Sequence, residues 1–200
     1  MRPRLAADLS AQLGVPVALA VATDAATTSA LSLGEKQFAE ALPQREARNT
    51  WLRGRAALKA LGGGDTSTLT FPHPSLSLSH SDGTAVAVRS GSPLAGIGID
   101  VEAWRACVHP RMARFFLRSS EQEAARTAQG LVRLWTIKEA LFKAFPDNSQ
   151  SVLLDFELSD PCARHGTATG PDGQVLRYAS ADVVAGSLSV ATLRGNDVHL

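Results

Sequence analysis

The stretch GIGIDVE, Gly96 to Glu102, carries the strongest structural and chemical signal in the sequence. As a β-strand, it places its three β-branched apolar residues on one face and its glycines and acids on the other. The apolar face is typical of a buried sheet. On the opposite face Asp100 and Glu102 lie about 7 Å apart along the strand, and the stretch contains no Lys or Arg to offset them. These carboxylates either lie at a solvated strand edge or meet a cation from elsewhere.

The composition limits the class of protein. With 200 residues and 44% hydrophobic content, the chain is long enough for one ordinary domain or for two small halves that share a core. The formal net charge of +1 gives no general attraction for nucleic acid or an anionic membrane. We therefore expect no nucleic acid and no membrane as partners, and any binding of phosphate must depend on local residues.

The cysteines and the N-terminus predict a cytoplasmic protein. Cys107 and Cys162 form neither a CxxC pair nor a metal-ligand spacing, which favours reduced thiols without a special role. The opening MRPR resembles the start of a signal peptide, but polar residues and Pro16 interrupt the apolar run that follows. The stretch 15–22 is too short to cross a bilayer core of about 30 Å. We expect neither export nor membrane insertion.

The periodicity of apolar residues predicts helices and strands in an irregular order. Helices are predicted over 5–13, from Leu33 to the break at Pro43, and over 46–61, 112–128 and 131–145; strands are predicted over 15–22, 75–79, 84–89 and 96–102. Residues 152–193 predict short strands separated by glycine and proline turns. The glycines 62–64 end a helix and lack the Gly-Lys-Ser/Thr ending of a phosphate-binding loop. Without a βαβ rhythm, the pattern favours an α+β fold.

Two segments that lie 84 positions apart resemble each other. Residues 51–61 read WLRGRAALKAL, and residues 135–145 read WTIKEALFKAF. The same shift places residues 13–18 on 97–102 without a gap. This self-similarity predicts a duplicated unit with pseudo-twofold symmetry. The chain is then expected to divide into an N-terminal half, 1–94, and a C-terminal half, 95–200.

The second of these helices carries charged residues close to its apolar face. At about 100° per residue, Lys138 lies in the middle of the apolar arc, so its ammonium group must reach solvent or meet an anion. Glu139 lies at the edge of the arc, and Lys143 follows one turn later. Taken alone, Glu139 and Lys143 form an exposed pair that stabilises the helix by about 0.2–0.5 kcal/mol.

Together, Asp100, Glu102 and Glu139 predict a site for a hard divalent cation. Carboxylates without clustered thiols or imidazoles favour Mg2+, which usually binds through a few carboxylates together with phosphates and water. Lys138 and Lys143 would neutralise the same phosphates. The combination indicates a phosphoryl-type transfer, in which positioning and charge neutralisation do most of the catalysis.

The segment SLSLSHSDG, 75–83, predicts a strand that ends in a group of hydrogen-bond donors. Ser79 and Ser81 flank His80 at this end and could hold a phosphate. A lone histidine in this position is more often structural.

The helix over 46–61 carries a basic face. Arg48 and Arg55 are seven residues apart and share one side, whereas Arg53 faces elsewhere. The arginines form either a solvated face or a guanidinium fork for a phosphate.

The order of the motifs SHS-x-G, GIGIDVE and W-T-x-K-E-A-x-x-K resembles the surfactin-type 4'-phosphopantetheinyl transferase family. The resemblance covers about residues 35–157. It implies a pseudodimer of two similar α+β halves in one chain, with the active site between them, and hence a monomer. The implied reaction transfers 4'-phosphopantetheine from coenzyme A to a serine of an apo acyl or peptidyl carrier protein and releases 3',5'-adenosine bisphosphate. Carriers of fatty-acid, polyketide and nonribosomal-peptide pathways all remain open.

The resemblance also implies roles for the residues of the last two motifs. Asp100, Glu102 and Glu139 would hold Mg2+ against the diphosphate of coenzyme A, the co-substrate. Glu139 would also be the general base for the incoming serine. Lys138 and Lys143 would stabilise the charge that develops on the diphosphate, with Lys143 nearer the leaving group.

The first motif and the basic helix correspond to the nucleotide end of the family's site. Ser79 and His80 would contact the 3'-phosphate of coenzyme A. Among the arginines, Arg55 is the first candidate for the nucleotide, followed by Arg48 and Arg53. After the last motif the chain reads FPDNSQS, which resembles the enterobactin-type branch and leaves the carrier-facing loop open.

Two other classes of protein remain as alternatives. One is a module that binds coenzyme A or a carrier protein and has lost transfer activity. The other is an unrelated Mg2+ phosphohydrolase, which would release adenosine bisphosphate without a carrier.

Overall fold

Two antiparallel sheets form the framework of the computed structural model, which describes residues 3–25, 30–62, 64–104, 108–184 and 186–195. The first part of the chain contains α1 (Pro3–Leu13), β1 (Val17–Ala22), α2 (Leu33–Ala41), α3 (Arg45–Ala60), β2 (Leu76–Ser81) and β3 (Thr84–Ser90). The second part contains β4 (Gly96–Ala103), α4 (Ala128–Ala144), β5 (Glu157–Leu158), β6 (His165–Thr169), β7 (Val175–Val183) and β8 (Gly186–Leu193). The mixture of helices and antiparallel sheets confirms the predicted α+β class.

The same connectivity occurs twice in the described residues. The strand orders are β1-β3-β2 and β4-β8-β7-β6-β5, with antiparallel neighbours throughout. In each sheet a strand precedes a long helix, and a later hairpin returns its second strand to the first. Shifted by 84 positions, α3 would cover 129–144, within one residue of α4. The gap-free shift of the strands is wrong, however, because residues 13–18 include the end of α1 and only the start of β1.

The helix predicted over 112–128 is also wrong. The structure has three short 3-10 turns there, Pro110–Phe115, Ser119–Glu121 and Glu123–Ala125. Phe116 and Leu117, which follow the first of these turns, are both buried. The Glu121 carboxylate accepts a hydrogen bond from the Arg118 N–H at 2.8 Å and so closes its own turn. In the last part of the chain, β7 and β8 have nine and eight residues and are longer than predicted.

Strand β4 lies between α4 and the core shared by the two sheets. Ile97, Ile99 and Val101 are buried with apolar residues of α1, β1, β3, β7 and β8. On the other face, a Cβ atom on Gly96 would lie 1.8 Å from the Ala144 carbonyl oxygen. Glycine is required there because the backbone of α4 occupies the space of a side chain.

The spacing of the two elements explains how their charged residues meet. A Cβ atom on Gly98 would lie 2.0 Å from the Ala140 oxygen. From Gly96 to Gly98 the contact on α4 thus moves back four residues, from Ala144 to Ala140, because the strand and the helix run in opposite directions. A helix rises about 6 Å over four residues, and a strand rises about 6.6 Å over two. The next strand residues, Asp100 and Glu102, therefore continue along the helix that carries Glu139.

We expect Gly98→Ala to lower the free energy of unfolding by about 2–3 kcal/mol. The added methyl group would meet rigid helix backbone, which cannot yield without moving α4. Chemical denaturation measures the change. Gly64→Ala is a matched control, since a Cβ there meets nothing within 4 Å among the described residues. Equal stability of both variants would contradict this packing.

Two sequence predictions concern the cysteines and the membrane. Cys162 is an exposed free thiol, and Cys107 lies outside the described residues. Within the described ranges, no helix is long and apolar enough to span a bilayer.

Candidate active site

The edges of the two sheets meet along β2 and β4, which run in the same direction. Serine hydroxyls of β2 replace the carbonyl groups that a paired strand would offer. Each Oγ accepts one N–H of β4: Ser77 from Ile99 at 3.1 Å, Ser79 from Val101 at 3.4 Å and Ser81 from Ala103 at 3.3 Å. We call this set of bonds the serine ladder. It satisfies alternate N–H groups of β4 at an otherwise unpaired edge.

Asp100 is 3% exposed and lies where the ladder meets α4. Its Oδ1 accepts hydrogen bonds from Lys143 Nζ at 2.7 Å and from Ser79 Oγ at 2.8 Å. Its Oδ2 is buried and has no hydrogen-bond partner among the described residues. Burial raises the pKa of the Asp100 carboxyl group, and the charge of Lys143 and the hydrogen bonds oppose this rise. One oxygen of the carboxylate is therefore saturated and the other is open.

Glu102 and Glu139 are half-buried beside Asp100. Ser81 Oγ donates to Glu102 Oε2 at 2.9 Å. Burial raises the pKa of both glutamates; the Asp100 charge raises both further, and the charge of Lys143 lowers them. Glu102 and Glu139 also interact with each other. The structure thus brings together the three carboxylates that the sequence selects.

The chemical type of these side chains suits a hard divalent cation. In the described part of the chain, no group of three or more His, Cys, Asp or Glu side chains is arranged to hold a metal ion by itself. Mg2+, however, is usually held by one or two carboxylates, and phosphates and water complete its shell. The open Asp100 Oδ2 and its half-buried neighbours Glu102 and Glu139 fit such an incomplete set.

Lys138 does not belong to this cluster. Its side chain is 0% exposed, and its Nζ donates to Glu121 Oε1 at 2.7 Å and to the Phe156 carbonyl oxygen. Glu121 also accepts from the backbone N–H groups of Arg118 and Leu158, at 2.8 and 3.1 Å. The role predicted for Lys138 at a diphosphate is therefore wrong. The lysine does meet an anion, but this anion is a carboxylate of the turn before α4.

Two of the three candidate arginines of α3 stabilise the fold. Arg55, the first candidate from the sequence, is 8% exposed, and its Nη1 donates to the Thr66 carbonyl oxygen at 2.8 Å. Its guanidinium group lies 4.8 Å from the centre of the Trp51 ring. Arg48 Nη2 donates to the Leu42 carbonyl oxygen at 3.0 Å. Because Arg55 is buried in these contacts, the structure favours a structural role for it over its first place among the nucleotide-binding candidates.

Arg53 instead lines a pocket of about 350 Å3 between α3 and the β2–β3 hairpin. His80, Thr50 and Ser81 also line it. The ring of His80 lies against α3 at Gly54, where a Cβ atom would be 2.8 Å from Nε2. Burial lowers the pKa of His80; the Thr50 backbone opposes this, and nearby cationic side chains lower the pKa further. The pocket thus combines a guanidinium group with hydroxyl groups, an imidazole and the carboxylates of Glu46 and Asp82.

The buried Glu35 joins α2 to the loop that binds Arg55. It accepts hydrogen bonds from the backbone N–H groups of Ser32 and Thr66, at 2.8 and 3.1 Å, and from Lys59 Nζ at 2.9 Å. Burial alone would raise its pKa. The hydrogen bonds from Thr66, Lys59 and Ser32 outweigh burial and hold the pKa of Glu35 at about 2.

The low pKa of Glu35 predicts acid sensitivity of the fold. The ordinary pKa is 4.5 and the folded value is about 2, so folding favours the ionised form. The stabilisation is fully present above about pH 4.5 and is lost as the pH falls towards about 2. Urea unfolding at several pH values should show a steeper acid loss for the wild type than for Glu35→Gln. Parallel curves would contradict the assignment.

The structural role of the serines was missed at the sequence level. Ser79 is 3% exposed, and its hydroxyl is engaged by Asp100 and the Val101 N–H. The prediction that Ser79 holds a phosphate is therefore wrong. A signal was present, since serines repeat every two residues over 77–81, with the same period as Asp100 and Glu102.

The fold and the site together define a class: an α+β protein in which strand-borne carboxylates and a helix-borne lysine meet beside a polar pocket that contains an arginine. Residues 96–191 match the family described as the 4'-phosphopantetheinyl transferase superfamily. The matched segment spans just under half of the chain and contains Asp100, Glu102, Glu139 and Lys143. This segment is therefore similar to the superfamily. No curated protein matches the chain.

Proposed function

We propose that the protein is a Mg2+-dependent 4'-phosphopantetheinyl transferase of the surfactin type. It moves the phosphopantetheine group of coenzyme A to a serine hydroxyl of an apo acyl or peptidyl carrier protein. The observation that carries the proposal is the meeting of Asp100 and Glu102 on β4 with Glu139 and Lys143 on α4. All four lie inside the segment that matches the superfamily.

The reaction joins the serine oxygen to the phosphorus atom that bears pantetheine. The bond from this phosphorus to the bridging oxygen breaks, and 3',5'-adenosine bisphosphate leaves with the electron pair. Glu139 accepts the proton of the attacking hydroxyl, directly or through water. Lys143, which neutralises Asp100 at 2.7 Å, would also offset charge on the leaving phosphate.

Asp100, Glu102 and Glu139 would hold Mg2+ at the diphosphate, where the ion supplies neutralisation of the charge that develops on its oxygens. Asp100 Oδ2 is the best-placed donor atom, because it is buried and has no other partner among the described residues. A half-buried cluster of three carboxylates with one lysine attracts such an ion, since the lysine leaves negative charge uncompensated.

We further propose that the pocket of Arg53 and His80 receives the 3'-phosphate and the adenosine of coenzyme A. It adjoins the carboxylates through Ser81, which lines the pocket and donates to Glu102. Arg53 replaces Arg55 as the first candidate of the basic helix, because Arg55 is buried in structural contacts.

The connectivity supports the duplication as well. We propose that 1–94 and 95–200 are the two halves of a pseudodimer and that the site lies between them. In support, the first half contributes the serine ladder and the pocket, and the second half contributes the carboxylates and Lys143. Since one chain then supplies both walls of the site, we propose a monomer, which light scattering after gel filtration measures directly.

Intact-mass analysis of apo carrier proteins tests the transfer. With coenzyme A and Mg2+, at least one carrier of the acyl or peptidyl class should gain the mass of phosphopantetheine. Binding of coenzyme A without any gain would favour a module that has lost transfer. Release of adenosine bisphosphate without a carrier would favour a phosphohydrolase. Either result would refute the proposed transferase.

We expect Arg53→Ala to raise the KM for coenzyme A about tenfold or more, because a charge-assisted phosphate contact contributes about 1.5–3 kcal/mol. Arg55→Ala is the matched comparison on the same helix. It should lower the melting temperature and change KM less. Steady-state kinetics and thermal denaturation separate the two effects, and the reverse pattern would restore Arg55 as the nucleotide contact.

A further inference from the structure

The serine ladder contacts two of the three site carboxylates in the same way. Ser79 reaches Asp100 at 2.8 Å, and Ser81 reaches Glu102 at 2.9 Å. In both cases the serine and the carboxylate come from different sheets and from adjacent edge strands. The two-residue period of β2 thus matches the two-residue spacing of the acids on β4.

The hydrogen-bond direction in each pair is fixed. Ser79 Oγ accepts the Val101 N–H, and Ser81 Oγ accepts the Ala103 N–H. A hydroxyl group has a single proton, and an ionised carboxylate can only accept. The proton of each serine therefore points to one carboxylate oxygen, which holds the carboxylate at a defined rotation.

At Asp100 this arrangement leaves one oxygen open. Oδ1 receives both Ser79 and Lys143, whereas Oδ2 is buried and has no partner among the described residues. An open buried oxygen is costly unless a ligand uses it. The same serine that satisfies Oδ1 keeps the side chain from rotating to exchange the two oxygens.

From this geometry we propose that Ser79 and Ser81 are positioning residues, which orient Asp100 and Glu102 for the divalent cation. The inference rests on the proposed function and deepens it. Outer contacts of this kind hold metal-ligating carboxylates in place, and their loss typically weakens metal affinity or activity by about 10–100-fold. The serines act through the carboxylates and do not contact the reacting atoms.

Ser77 provides the matched control within the ladder. It is 3% exposed, as Ser79 is, and its Oγ accepts the Ile99 N–H at 3.1 Å. The β4 residue in the position equivalent to Asp100 is Gly98, which has no side chain to orient. Ser77→Ala and Ser79→Ala therefore both remove a hydroxyl group that accepts an N–H of β4. Only Ser79→Ala also removes a hydrogen bond to a carboxylate.

The test measures the affinity for Mn2+, used as a spectroscopic substitute for Mg2+, by electron paramagnetic resonance in the presence of coenzyme A. The dissociation constant should rise about 10–100-fold in Ser79→Ala and Ser81→Ala and stay within about twofold of the wild type in Ser77→Ala. Ser81→Thr retains the hydroxyl group and should restore binding. In the transfer assay, added Mg2+ should recover much of the kcat lost by the two alanine variants.

The outcomes separate this inference from the proposed function. If the wild type binds Mn2+ and both alanine variants bind it as tightly, the positioning role is overturned and the transferase is untouched. If the wild type binds no Mn2+, the metal assignment fails, and the positioning role fails with it. Ser81 is half-buried, so its replacement disturbs the fold less than that of Ser79. If Ser79→Ala does not fold, Ser81→Ala tests the positioning role.

Discussion

Glu139→Gln is expected to lower kcat/KM for phosphopantetheine transfer by at least about 10²-fold while the fold is retained. The amide keeps the size of the side chain, so the packing of α4 changes little. It removes a negative charge from a cluster whose other carboxylates raise the pKa of Glu139, and in the proposed mechanism it removes the proton acceptor for the carrier serine. Initial rates from intact-mass analysis of a carrier protein measure the loss.

Asp100→Asn should show a similar loss of transfer for a partly different reason. It keeps an oxygen atom but removes the charge that pairs with Lys143 and that would hold the proposed cation. Glu123→Gln is the control, because Glu123 lies in the matched segment but is exposed and pairs with Arg126 on the surface. Full transfer by Glu139→Gln or Asp100→Asn, with the control also active, would refute the metal assignment.

The sequence predicts this cluster well because each partner lies on a regular element. The apolar residues of GIGIDVE alternate as in a strand. Its glycines are explained by the backbone of α4, which occupies the space that their side chains would need. The acids at a spacing of two on β4 and the charges at a spacing of four on α4 both follow from local geometry. Only the direction in which α4 crosses β4 depends on tertiary packing, and the glycines of β4 indicate where the two elements approach each other.

The errors arise where a side chain's partner is distant in sequence. Helical phase correctly places Lys138 among apolar residues, but nothing local shows that Glu121 turns inward from an irregular segment to meet it. Likewise, helical phase groups Arg55 with Arg48 and separates Arg53. It does not reveal that Arg55 meets Thr66, eleven residues later in a loop.

The serines illustrate a third kind of error. The sequence identifies Ser79 as a donor and predicts a ligand phosphate as its acceptor. The acceptor is Asp100, on the edge of the other sheet. A periodic match between donors on one strand and acids on another is visible in the sequence, but the pairing of the two edges is set by the packing of the sheets.

Lys138→Met is expected to lower the free energy of unfolding by about 3–5 kcal/mol. Methionine fills a similar volume but leaves Glu121 as an uncompensated charge in a site where both partners are 0% exposed. The cost extends beyond this pair, because Glu121 also holds the backbone of Arg118 and Leu158, and the Phe156 carbonyl oxygen loses its donor. Chemical denaturation measures the loss.

Lys143→Met is the matched variant, since it removes the other lysine of α4 that binds a carboxylate. Lys143 is 30% exposed, and its partner Asp100 can take up a proton because burial raises its pKa. This variant should lose much less stability and far more transfer activity, whereas Lys138→Met should retain activity at temperatures well below its unfolding transition. If Lys138→Met instead kept wild-type stability and lost transfer, the lysine would have to act at the diphosphate, and the buried pair with Glu121 would not describe the working protein.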